Sequence, residues 1–431
     1  MIEIDKVLNT ILDDSIELPK VLVQGLTNNS SKVKKGFIFF AYKGDNFDGN
    51  EFIEDAFNNG ACLAISDSDK LESQKNVIKV DDVRTAAGIA CSNFYNFPQN
   101  KVKLIGITGT NGKTSTSTIL KSILDAENEK TLQIGTSGIK PSLDINSGLT
   151  TPDIFDLYEI LNHAVNKGFK NVVLEVSSHS LSQRRIENIS FDITAFTNLT
   201  LDHLDYHKTM EEYFFEKLKL FDLNKKNGSS VVMIDDKYGK RISELNSNAK
   251  CISLENKDVD YSCTSFRIND LGITGTLAWD SKTLDFQSKL FGSFNLENLI
   301  LAAAIAVELN ISRQSISEGI KNCTNIDGRL HLVENKINQM IFLDYGHTPD
   351  AYLKVLKTLK DNFSHPLKVL FGAGGGRDKS KRPKMAEVVE RYSVECYLAP
   401  DNPRFEDIES INNDVIKGFS NENHHIFNDR K

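Results

Sequence analysis

A short glycine-rich segment between an apolar run and a helix-forming run constrains the fold of this chain most strongly. Residues 102–107 predict a buried strand, and the segment GTNGKTST then follows at 109–116, where a helix-forming run begins. A strand, a glycine turn and a helix in this order place backbone N–H groups around an anion. Lys113 would supply a positive charge for nucleotide phosphates, and the hydroxyl of Thr114 could ligate Mg²⁺. The strict phosphate-loop pattern would place its first glycine one residue later than Gly106, so an ordinary glycine-containing turn is the alternative interpretation.

The composition restricts the classes of protein to which the chain can belong. Its 431 residues are 40% hydrophobic and 26% charged, which suits ordinary globular domains. The net charge of -8 argues against a general nucleic-acid binder, and no apolar run approaches the ~18 residues of a membrane span. The six cysteines form no CxxC pair, and the N-terminus shows no apolar signal sequence. We therefore expect a soluble, cytoplasmic protein in a reducing compartment.

The alternation of strand and helix patterns predicts an α/β protein with three domains, the number that its length suggests. The first domain, at 1–98, is expected to end at the linker around Pro98. The second, at 99–326, contains the phosphate-loop segment and is expected to have a mostly parallel sheet, with short antiparallel strands added over 264–290. The third, at 327–431, again has the pattern of a small α/β domain.

Polar side chains follow two of the predicted strands directly. Glu175 follows a strand at 171–174, and Asp202 and His203 follow a strand at 193–196. Ligands bind at the carboxyl ends of strands in open α/β sheets, so these groups could hold a divalent metal over phosphates. The alternatives are a salt-bridged glutamate at a strand end and an aspartate that caps a helix.

Three further segments are weak evidence when each is taken alone. Lys217 lies beside the apolar stripe of a helix at 210–221 and could point inward, although a surface lysine with a packed stem is the plainer interpretation. The glycine-rich loop at 372–376 precedes cations that could bind carboxylates or phosphates, although a solvated basic loop is the commoner case. The turn at 401–404 ends in Arg404, a possible carboxylate clamp. The cations after the glycine-rich loop are Arg377, Lys379, Lys381, Arg382 and Lys384.

Together these segments resemble the Mur ligases, in particular the type that adds the third residue of the peptidoglycan stem peptide. The resemblance is collinear from about residue 20 to the end of the chain. Its motifs are GTNGKTST (109–116), TTPD (150–153), EVSSHSLSQRR (175–185), TNLTLDHLDYH (197–207), YFFEKLKLF (213–221), GSFNLENL (292–299), GRLH (328–331), DYGHTPDA (344–351), GAGGGRDKSKRP (372–383) and DNPR (401–404). Because so many motifs occur in the same order, the individually weak signals support one another.

The resemblance implies an ADP-forming amide ligase. Residues 1–98 would form a UDP-binding α/β domain, 99–326 a central P-loop-type ATPase domain, and 327–431 a Rossmann-like domain for the incoming amino acid. ATP would phosphorylate the terminal carboxylate of UDP-N-acetylmuramoyl-L-alanyl-D-glutamate, and an amine of meso-diaminopimelate would then displace the phosphate. Mg²⁺ is the implied cofactor. The partners would be these small molecules, with no nucleic acid and no membrane insertion, and we expect a monomer.

The resemblance also implies roles for residues by their positions. The catalytic set would be Lys113, Glu175, His203 and Lys217. The metal ligands would be Thr114, Glu175, His203 and Lys217, the last carbamylated by CO₂ so that a cation becomes an anion. ATP would contact Gly109, Thr110, Asn111, Gly112, Lys113, Thr114, Asn295, Asn298, Arg329, Asp344 and His347. The UDP-muramyl peptide would contact Ser30, Thr150, Thr151, Ser177, Gln183 and Arg185, and the amino acid would contact Arg377, Asp401, Asn402, Pro403 and Arg404.

The DNPR turn bears on which amino acid is added. It is the family's version in diaminopimelate-adding enzymes, whereas lysine-adding relatives tend to lack its arginine. A guanidinium pairs bidentately with the distal carboxylate that diaminopimelate has and lysine lacks, so an unpaired Arg404 would disfavour lysine.

The chain departs from the family pattern at four places. Residues 29–31 read Asn-Ser-Ser where relatives usually have Asp-Ser-Arg, Gly376 stands where Asp is common, and Gly346 replaces Ala. The chain ends at Lys431 where relatives continue to a Gly-Lys-Gly-His-Glu segment, so we expect an incomplete third domain and weaker binding of diaminopimelate. The alternatives that stay open are ligation of L-lysine, a folylpolyglutamate synthase, and a non-catalytic binder of UDP-muramyl peptides or ATP.

Overall fold

The computed structural model describes residues 1–12, 18–44, 47–69, 76–143, 145, 148–269, 271–337, 339–376 and 378–429. Contacts divide the chain into two compact units. Unit 1 comprises Met1–Gly109, Asn128–Phe196 and Phe215–Val231, and unit 2 comprises Thr110–Glu127, Thr197–Phe214 and Val232–Lys431.

Strands and helices alternate along most of the chain. The strands are β1 (Ile2–Glu3), β2 (Leu22–Val23), β3 (Gly25–Thr27), β4 (Phe37–Ala41), β5 (Ala61–Ser66), β6 (Val77–Lys79), β7 (Lys103–Thr108), β8 (Thr131–Gly135), β9 (Gly138–Lys140), β10 (Asn171–Glu175), β11 (Phe191–Phe196), β12 (Asn224–Met233), β13 (Ala249–Ser253), β14 (Tyr261–Asn269), β15 (Gly272–Trp279), β16 (Lys282–Ser288), β17 (His331–Val333), β18 (Ile341–Leu343), β19 (Lys368–Phe371), β20 (Glu395–Leu398) and β21 (His424–Ile426). The helices are α1 (Ile4–Val7), α2 (Ile53–Asn58), α3 (Val83–Phe94), α4 (Lys113–Ala126), α5 (Ile154–Asn166), α6 (Ser178–Ser182), α7 (Leu204–His207), α8 (Met210–Asp222), α9 (Lys237–Leu245), α10 (Ser293–Glu308), α11 (Arg313–Asn322), α12 (Pro349–Asn362), α13 (Lys381–Tyr392) and α14 (Ile408–Ile416).

The N-terminal part of unit 1 is a small parallel sheet with strands in the order β3-β4-β5-β6. Four of the five residues of β4 are fully buried, because this strand is apolar along its whole length and lies inside the sheet. The core under the sheet consists of Val33, Phe39, Ala41, Ile53, Ala56, Ala64 and Val77. A short α/β domain was predicted for this part of the sequence, and the fold agrees with that class.

The larger sheet of unit 1 is parallel at its centre. Strands β11, β7, β10 and β8 are neighbours in that order, all parallel, and β9 pairs antiparallel with β8. Glu175, the last residue of β10, is level with Ile107 of β7. Residues that follow these strands therefore meet at one edge of the sheet, which is where ligands bind in open α/β folds.

In unit 2, α4 packs against α10 and α11. Helix α10 is buried almost from end to end, as its run of alanine, leucine and isoleucine predicts. Strands β14, β15 and β16 pair antiparallel, which confirms the prediction for 264–290.

The C-terminal part of unit 2 contains a parallel sheet with strands in the order β19-β20-β21. Helices α12, α13 and α14 cover it, and α13 packs against both of the others. The shared core consists of Leu356, Phe371, Ala373, Met385, Ala386, Val389, Cys396, Leu398, Ile411 and Val415. The sequence predicted a small α/β domain in this part of the chain, and the fold agrees with that class. The architecture of the whole chain is mixed α/β.

Candidate functional site

The predicted phosphate loop is built at the start of α4 in unit 2. The helix begins at Lys113, and Gly112 before it has a left-handed backbone with φ of 87°. The Lys113 Nζ donates to the carbonyl of Thr110 at 2.9 Å, so its charge lies over the loop that it follows. A helix N-terminus and an ammonium group directed at one loop form an arrangement suited to binding phosphate.

Gly112 is held closely against a buried asparagine of α10. A Cβ added at Gly112 would lie 2.4 Å from Asn298 Oδ1, so another residue fits there only if the Asn298 side chain or the loop moves. The same oxygen accepts from Thr116 Oγ1 at 3.3 Å, and Asn298 Nδ2 donates to Asn295 Oδ1 at 3.4 Å. Asn298, which the resemblance assigns to ATP binding, thus lies directly against the phosphate loop, and Asn295, assigned the same role, contacts Asn298.

The segment after β11 braces the same loop from another side. Asn198 accepts from the Thr110 N–H through its carbonyl at 2.8 Å and from the Asn111 N–H through its side chain at 3.1 Å. Thr197 Oγ1 donates to the Asn111 carbonyl at 2.6 Å, and Asn111 Nδ2 donates to Thr200 Oγ1 at 3.2 Å. The sequence analysis assigned no role to Asn198 or Thr200, although both lie in the TNLTLDHLDYH motif.

His203 follows the segment 197–200 that contacts the phosphate loop. His203 occupies the N-cap position of α7, with φ of 53°. Asp202 lies one residue earlier, so the alternative interpretation of Asp202 as the helix cap is wrong. Asp202 accepts from the His203 N–H at 2.9 Å and lies 3.5 Å from its Nε2. Burial alone would raise the pKa of Asp202, but the imidazoles of His203 and His347 outweigh it and lower the pKa. An ionised carboxylate therefore faces the imidazole of His203.

Three predicted nucleotide contacts come from the C-terminal part of unit 2. The Nη2 of Arg329 lies 3.5 Å from Thr114 Oγ1, so the structure brings this cation to the phosphate loop. The guanidinium also lies 5.1 Å from the centroid of the Tyr345 ring. Asp344 accepts from two backbone N–H groups, each at 2.7 Å, and thereby braces its own turn. His347 is exposed, with its ring 5.8 Å from that of Tyr345.

Glu175 is completely buried at the carboxyl end of β10 in unit 1. Thr136 Oγ1 donates to its Oε2 at 3.2 Å. A Cβ added at Gly135 would lie 2.0 Å from the Glu175 Oε1, so the carboxylate occupies the space that a larger residue would fill.

Lys217 points into unit 1 rather than to the surface. Only 1% of it is exposed, and its Nζ donates to the carbonyl of Gly109 at 2.9 Å. The interpretation as a surface lysine is therefore wrong, because the apolar stripe of α8 carries this position inward. Glu175 and Lys217 both lie at the carboxyl edge of the parallel strands in unit 1.

Unit 1 also contains a cavity of about 590 Å³, lined by residues of its N-terminal part and of the segment 183–185 that follows α6. Three of the residues assigned to the UDP-muramyl peptide line it: Ser30, Gln183 and Arg185. The cavity has the size and mixed polar and apolar lining of a small-molecule site.

The other three residues assigned to that substrate connect the cavity with Glu175. Arg185 Nη1 donates to the Thr151 carbonyl at 3.1 Å, and Thr151 Oγ1 donates to the Glu175 carbonyl at 2.8 Å. The Ser177 N–H donates to Thr151 Oγ1 at 3.0 Å, and Thr150 Oγ1 lies 3.2 Å from Thr136 Oγ1. A continuous set of polar contacts therefore leads from the cavity to the edge of the sheet.

The cavity has lining residues that the sequence analysis missed. The guanidinium of Arg84 lies 4.2 Å from the centroid of the Tyr42 ring and donates to the Gln183 carbonyl at 2.7 Å. Asn28 Nδ2 donates to the Tyr42 hydroxyl at 2.6 Å and to Asp153 Oδ2 at 3.2 Å. Asp153 lies in the TTPD motif, whereas Asn28, Tyr42 and Arg84 have no local pattern that indicates a site.

The glycine-rich loop at 372–376 and the DNPR turn pack on each other in unit 2. The Gly375 N–H donates to the Asn402 carbonyl at 2.9 Å, and the Arg404 Nη1 donates to the Gly375 carbonyl. A Cβ added at Gly375 would lie 2.0 Å from the Pro403 carbonyl oxygen. The turn from Asp401 to Arg404 is thus joined to the loop, while Arg377 lies outside the described residues.

Arg382, one of the cations after that loop, is not available for a substrate anion. Only 1% of its side chain is exposed, and its guanidinium forms ion pairs with Glu406 at 2.7 Å and Asp414 at 3.0 Å. The arginine instead joins α13 to α14 and to the turn before it.

The described residues contain no group of three or more His, Cys, Asp and Glu side chains that could hold a metal ion. Mg²⁺ in nucleotide sites usually takes one or two protein oxygens and completes its shell with phosphates and water. The buried carboxylate of Glu175 and the hydroxyl of Thr114 are donors of this kind. Their chemistry fits Mg²⁺, whereas an ammonium on Lys217 could not ligate a metal. No helix in the described ranges is long and apolar enough to cross a membrane.

The fold and the phosphate loop define a nucleotide-binding α/β enzyme, and comparison with known proteins identifies its family. The family model described as the Mur ligase middle domain matches residues 107–306. Models described as the Mur ligase family, catalytic domain and as the Mur ligase, glutamate ligase domain match residues 22–95 and 328–431. The chain belongs to the Mur ligase family and is an enzyme of the ATP-dependent acid–amino-acid ligase class.

Relatives that share one named activity are similar to this protein over most of the chain. UDP-N-acetylmuramoyl-L-alanyl-D-glutamate--2,6-diaminopimelate ligase of Caldanaerobacter subterraneus is 40% identical, over 94% of this chain and 84% of the relative. The protein of the same name in Aquifex aeolicus is 40% identical, over 92% of this chain and 82% of the relative. A solved structure of a ligase of that name is 29% identical with a TM-score of 0.74, and the match covers 100% of this chain and 89% of the other. The expectation of an incomplete third domain finds no support here, because the model for that domain matches residues 328–431.

Proposed function

We propose that this enzyme joins 2,6-diaminopimelate to UDP-N-acetylmuramoyl-L-alanyl-D-glutamate and converts ATP to ADP and phosphate. The main support for the proposal is the series of hydrogen bonds in unit 1 that leads from the cavity through Arg185 and Thr151 to Glu175. A long substrate with a polar head in the cavity could place its carboxylate at the edge of the sheet. The names of the similar ligases supply the identity of that substrate.

The chemistry explains why the reaction needs a phosphate loop. A carboxylate is a poor electrophile, so the γ-phosphoryl group of ATP is transferred to it and ADP leaves. The amine of diaminopimelate then attacks the acyl phosphate, an amide forms, and phosphate leaves with its bonding electron pair. Cationic groups offset the charge on the transferring phosphoryl group.

Residues of this chain have distinct roles in the proposed reaction. The N–H groups of the 109–114 loop and the ammonium of Lys113 bind the phosphates, with Arg329 as a second cation. Thr114, Glu175 and His203 would hold Mg²⁺, which supplies further neutralisation of phosphate charge when bound. Arg185 and Gln183 would orient the muramyl peptide.

Lys217 is proposed to carry a carbamate from CO₂. A carbamate would convert this buried amine into an anionic oxygen donor, which explains a lysine inside a set of metal ligands. Two observations support this proposal: Lys217 is buried, and its Nζ donates to the carbonyl of Gly109. Gly109 lies two residues after Ile107, the residue of β7 that is level with Glu175.

Arg404 is proposed to bind the distal carboxylate of diaminopimelate. Its contact with Gly375 uses one of five guanidinium N–H donors, so donors remain for a carboxylate. We propose the residue boundaries 1–98, 99–326 and 327–431 for the three domains. We also propose a monomer in the cytoplasm, where a reducing environment suits six cysteines that are all free.

One assay separates the proposal from its alternatives. Release of ADP is measured with the UDP-muramyl dipeptide alone and with diaminopimelate, L-lysine, or a folate plus glutamate. Turnover that depends on diaminopimelate supports the proposal, and turnover with lysine instead would overturn the specificity. ADP release only with folate and glutamate would indicate a folylpolyglutamate synthase. Tight binding of ATP without ADP release would indicate a non-catalytic binder.

A further inference from the structure

Tyr213 is a buried side chain that the proposed chemistry does not use. It lies in the first turn of α8 and is 1% exposed. Its hydroxyl oxygen lies 3.1 Å from Thr110 Oγ1 in the phosphate loop. Because this buried phenol contacts the phosphate loop directly, it can affect how the loop binds a nucleotide.

The hydroxyl of Thr110 connects Tyr213 with the segment that follows β11. A threonine hydroxyl has one proton and two acceptor sites. Thr110 Oγ1 donates to the Thr200 carbonyl at 3.3 Å and accepts from the Thr200 N–H at 3.1 Å. The same oxygen lies within hydrogen-bond distance of the Tyr213 hydroxyl, and either of these two hydroxyls can donate to the other.

The ring of Tyr213 contacts both histidines of the segment that follows β11. It stacks on the His207 ring, with centroids 5.1 Å apart and planes at 23°. It meets the His203 ring edge to face, with centroids 6.1 Å apart and planes at 77°. His203 has a left-handed backbone with φ of 53°, a conformation that needs support from its surroundings.

We propose that Tyr213 is a positioning residue that holds Thr110 and His203 in the arrangement that binds the nucleotide. Its hydroxyl fixes the loop, and its ring fixes the imidazole. Lys217, another member of the proposed catalytic set, lies one helical turn later in α8. This inference rests on the proposed function, because it requires a nucleotide at the 109–114 loop.

The substitution Tyr213→Phe tests the hydroxyl and leaves the ring in place. We expect the dissociation constant for Mg·ADP, measured by calorimetry, to rise about fivefold to tenfold, the effect of one net hydrogen bond. The KM for diaminopimelate should stay unchanged. Tyr261→Phe is the matched control, because Tyr261 is also buried and its hydroxyl lies 2.6 Å from Glu308 Oε1. The control should lower the melting temperature to a similar extent and leave nucleotide affinity as in wild type.

A double-substitution cycle tests whether Tyr213 acts through Thr110. If it does, Thr110→Val combined with Tyr213→Phe should bind Mg·ADP no more weakly than Thr110→Val alone. Wild-type affinity in Tyr213→Phe, or losses that multiply in the double variant, would overturn the inference. A wild-type protein that binds no Mg·ADP would overturn the proposed function itself.

Discussion

Two side chains with proposed roles, Asn298 and Glu175, lie against backbone that leaves no space for a Cβ. Gly112 faces Asn298 and Gly135 faces Glu175, in each case closer than a methyl group allows. Glycine at these positions is therefore explained by the neighbouring side chain as much as by the turn. The sequence shows the glycines, but only the fold shows what approaches them.

Gly135→Ala should displace the carboxylate of Glu175, because the new Cβ would lie 2.0 Å from its Oε1. We expect kcat to fall by roughly two orders of magnitude, in the range for loss of a positioned catalytic group. Gly138→Ala is the control, since it lies in the same hairpin, meets nothing within 4 Å, and costs only the ~1 kcal/mol strain of its left-handed backbone. Equal kcat values in the two variants would contradict this prediction.

Lys217 should make the activity depend on dissolved CO₂. Removing CO₂ and bicarbonate from the wild-type enzyme should lower kcat reversibly, because the carbamate dissociates. Lys217→Gln should be inactive with or without bicarbonate, whereas Lys219→Gln, which changes an exposed lysine of the same helix, should behave as wild type. Wild-type activity that is unaffected by CO₂ removal would disprove the carbamate.

Arg404→Lys tests the choice of amino acid. A lysine cannot pair bidentately with a carboxylate, so we expect the KM for diaminopimelate to rise about tenfold to a hundredfold. The kcat should change little, because the distal carboxylate is remote from the attacking amine. Arg391→Lys, at an exposed position of α13, is the matched control. An unchanged KM in Arg404→Lys would remove the basis for diaminopimelate specificity.

At the scale of secondary-structure elements, most of the strands and helices that place the site could be predicted. The strands at 102–107 and 171–174 and the helix at 210–221 appear as β7, β10 and α8 within about one residue at each end. Apolar periodicity and glycine or proline boundaries specify such elements locally. The long strand β12 was missed, because its first half is polar and partly exposed and carries no regular pattern.

Arg382 tests how the elements of the C-terminal part are joined. Its substitution by alanine would leave Glu406 and Asp414 without their shared guanidinium and loosen α13 from α14. We expect the melting temperature to fall by about 5 °C or more, since Arg382 is the buried cation that pairs with both carboxylates. The ion pairs of these carboxylates with Lys379 and Lys417 are exposed and weaker. Lys384→Ala, two residues along the same helix and exposed, should change it by far less. Similar melting temperatures for both variants would show that the ion pairs do not stabilise this part.

At the scale of the whole molecule, nucleotide binding should appear as a gain in stability. Mg·ADP at a hundred times its dissociation constant should stabilise the fold by about 2.7 kcal/mol, because the ligand binds only the folded chain. A chelator should abolish most of this gain by removing Mg²⁺ from the phosphates. Thermal unfolding with and without EDTA measures both effects. A gain that is the same in EDTA would argue against the proposed metal ligands.

The sequence alone determined the α/β class, the phosphate loop and the family, because these depend on local periodicity and on motifs that stand in a fixed order. Tertiary structure decided the direction of Lys217, the burial of Arg382 and the residues that line the cavity. Those properties depend on which distant segments pack against a side chain, and one lysine or arginine on a helix has no local signal for that. Asn28, Tyr42 and Arg84 lie far apart in the chain and converge only when the parallel strands and α3 bring them together.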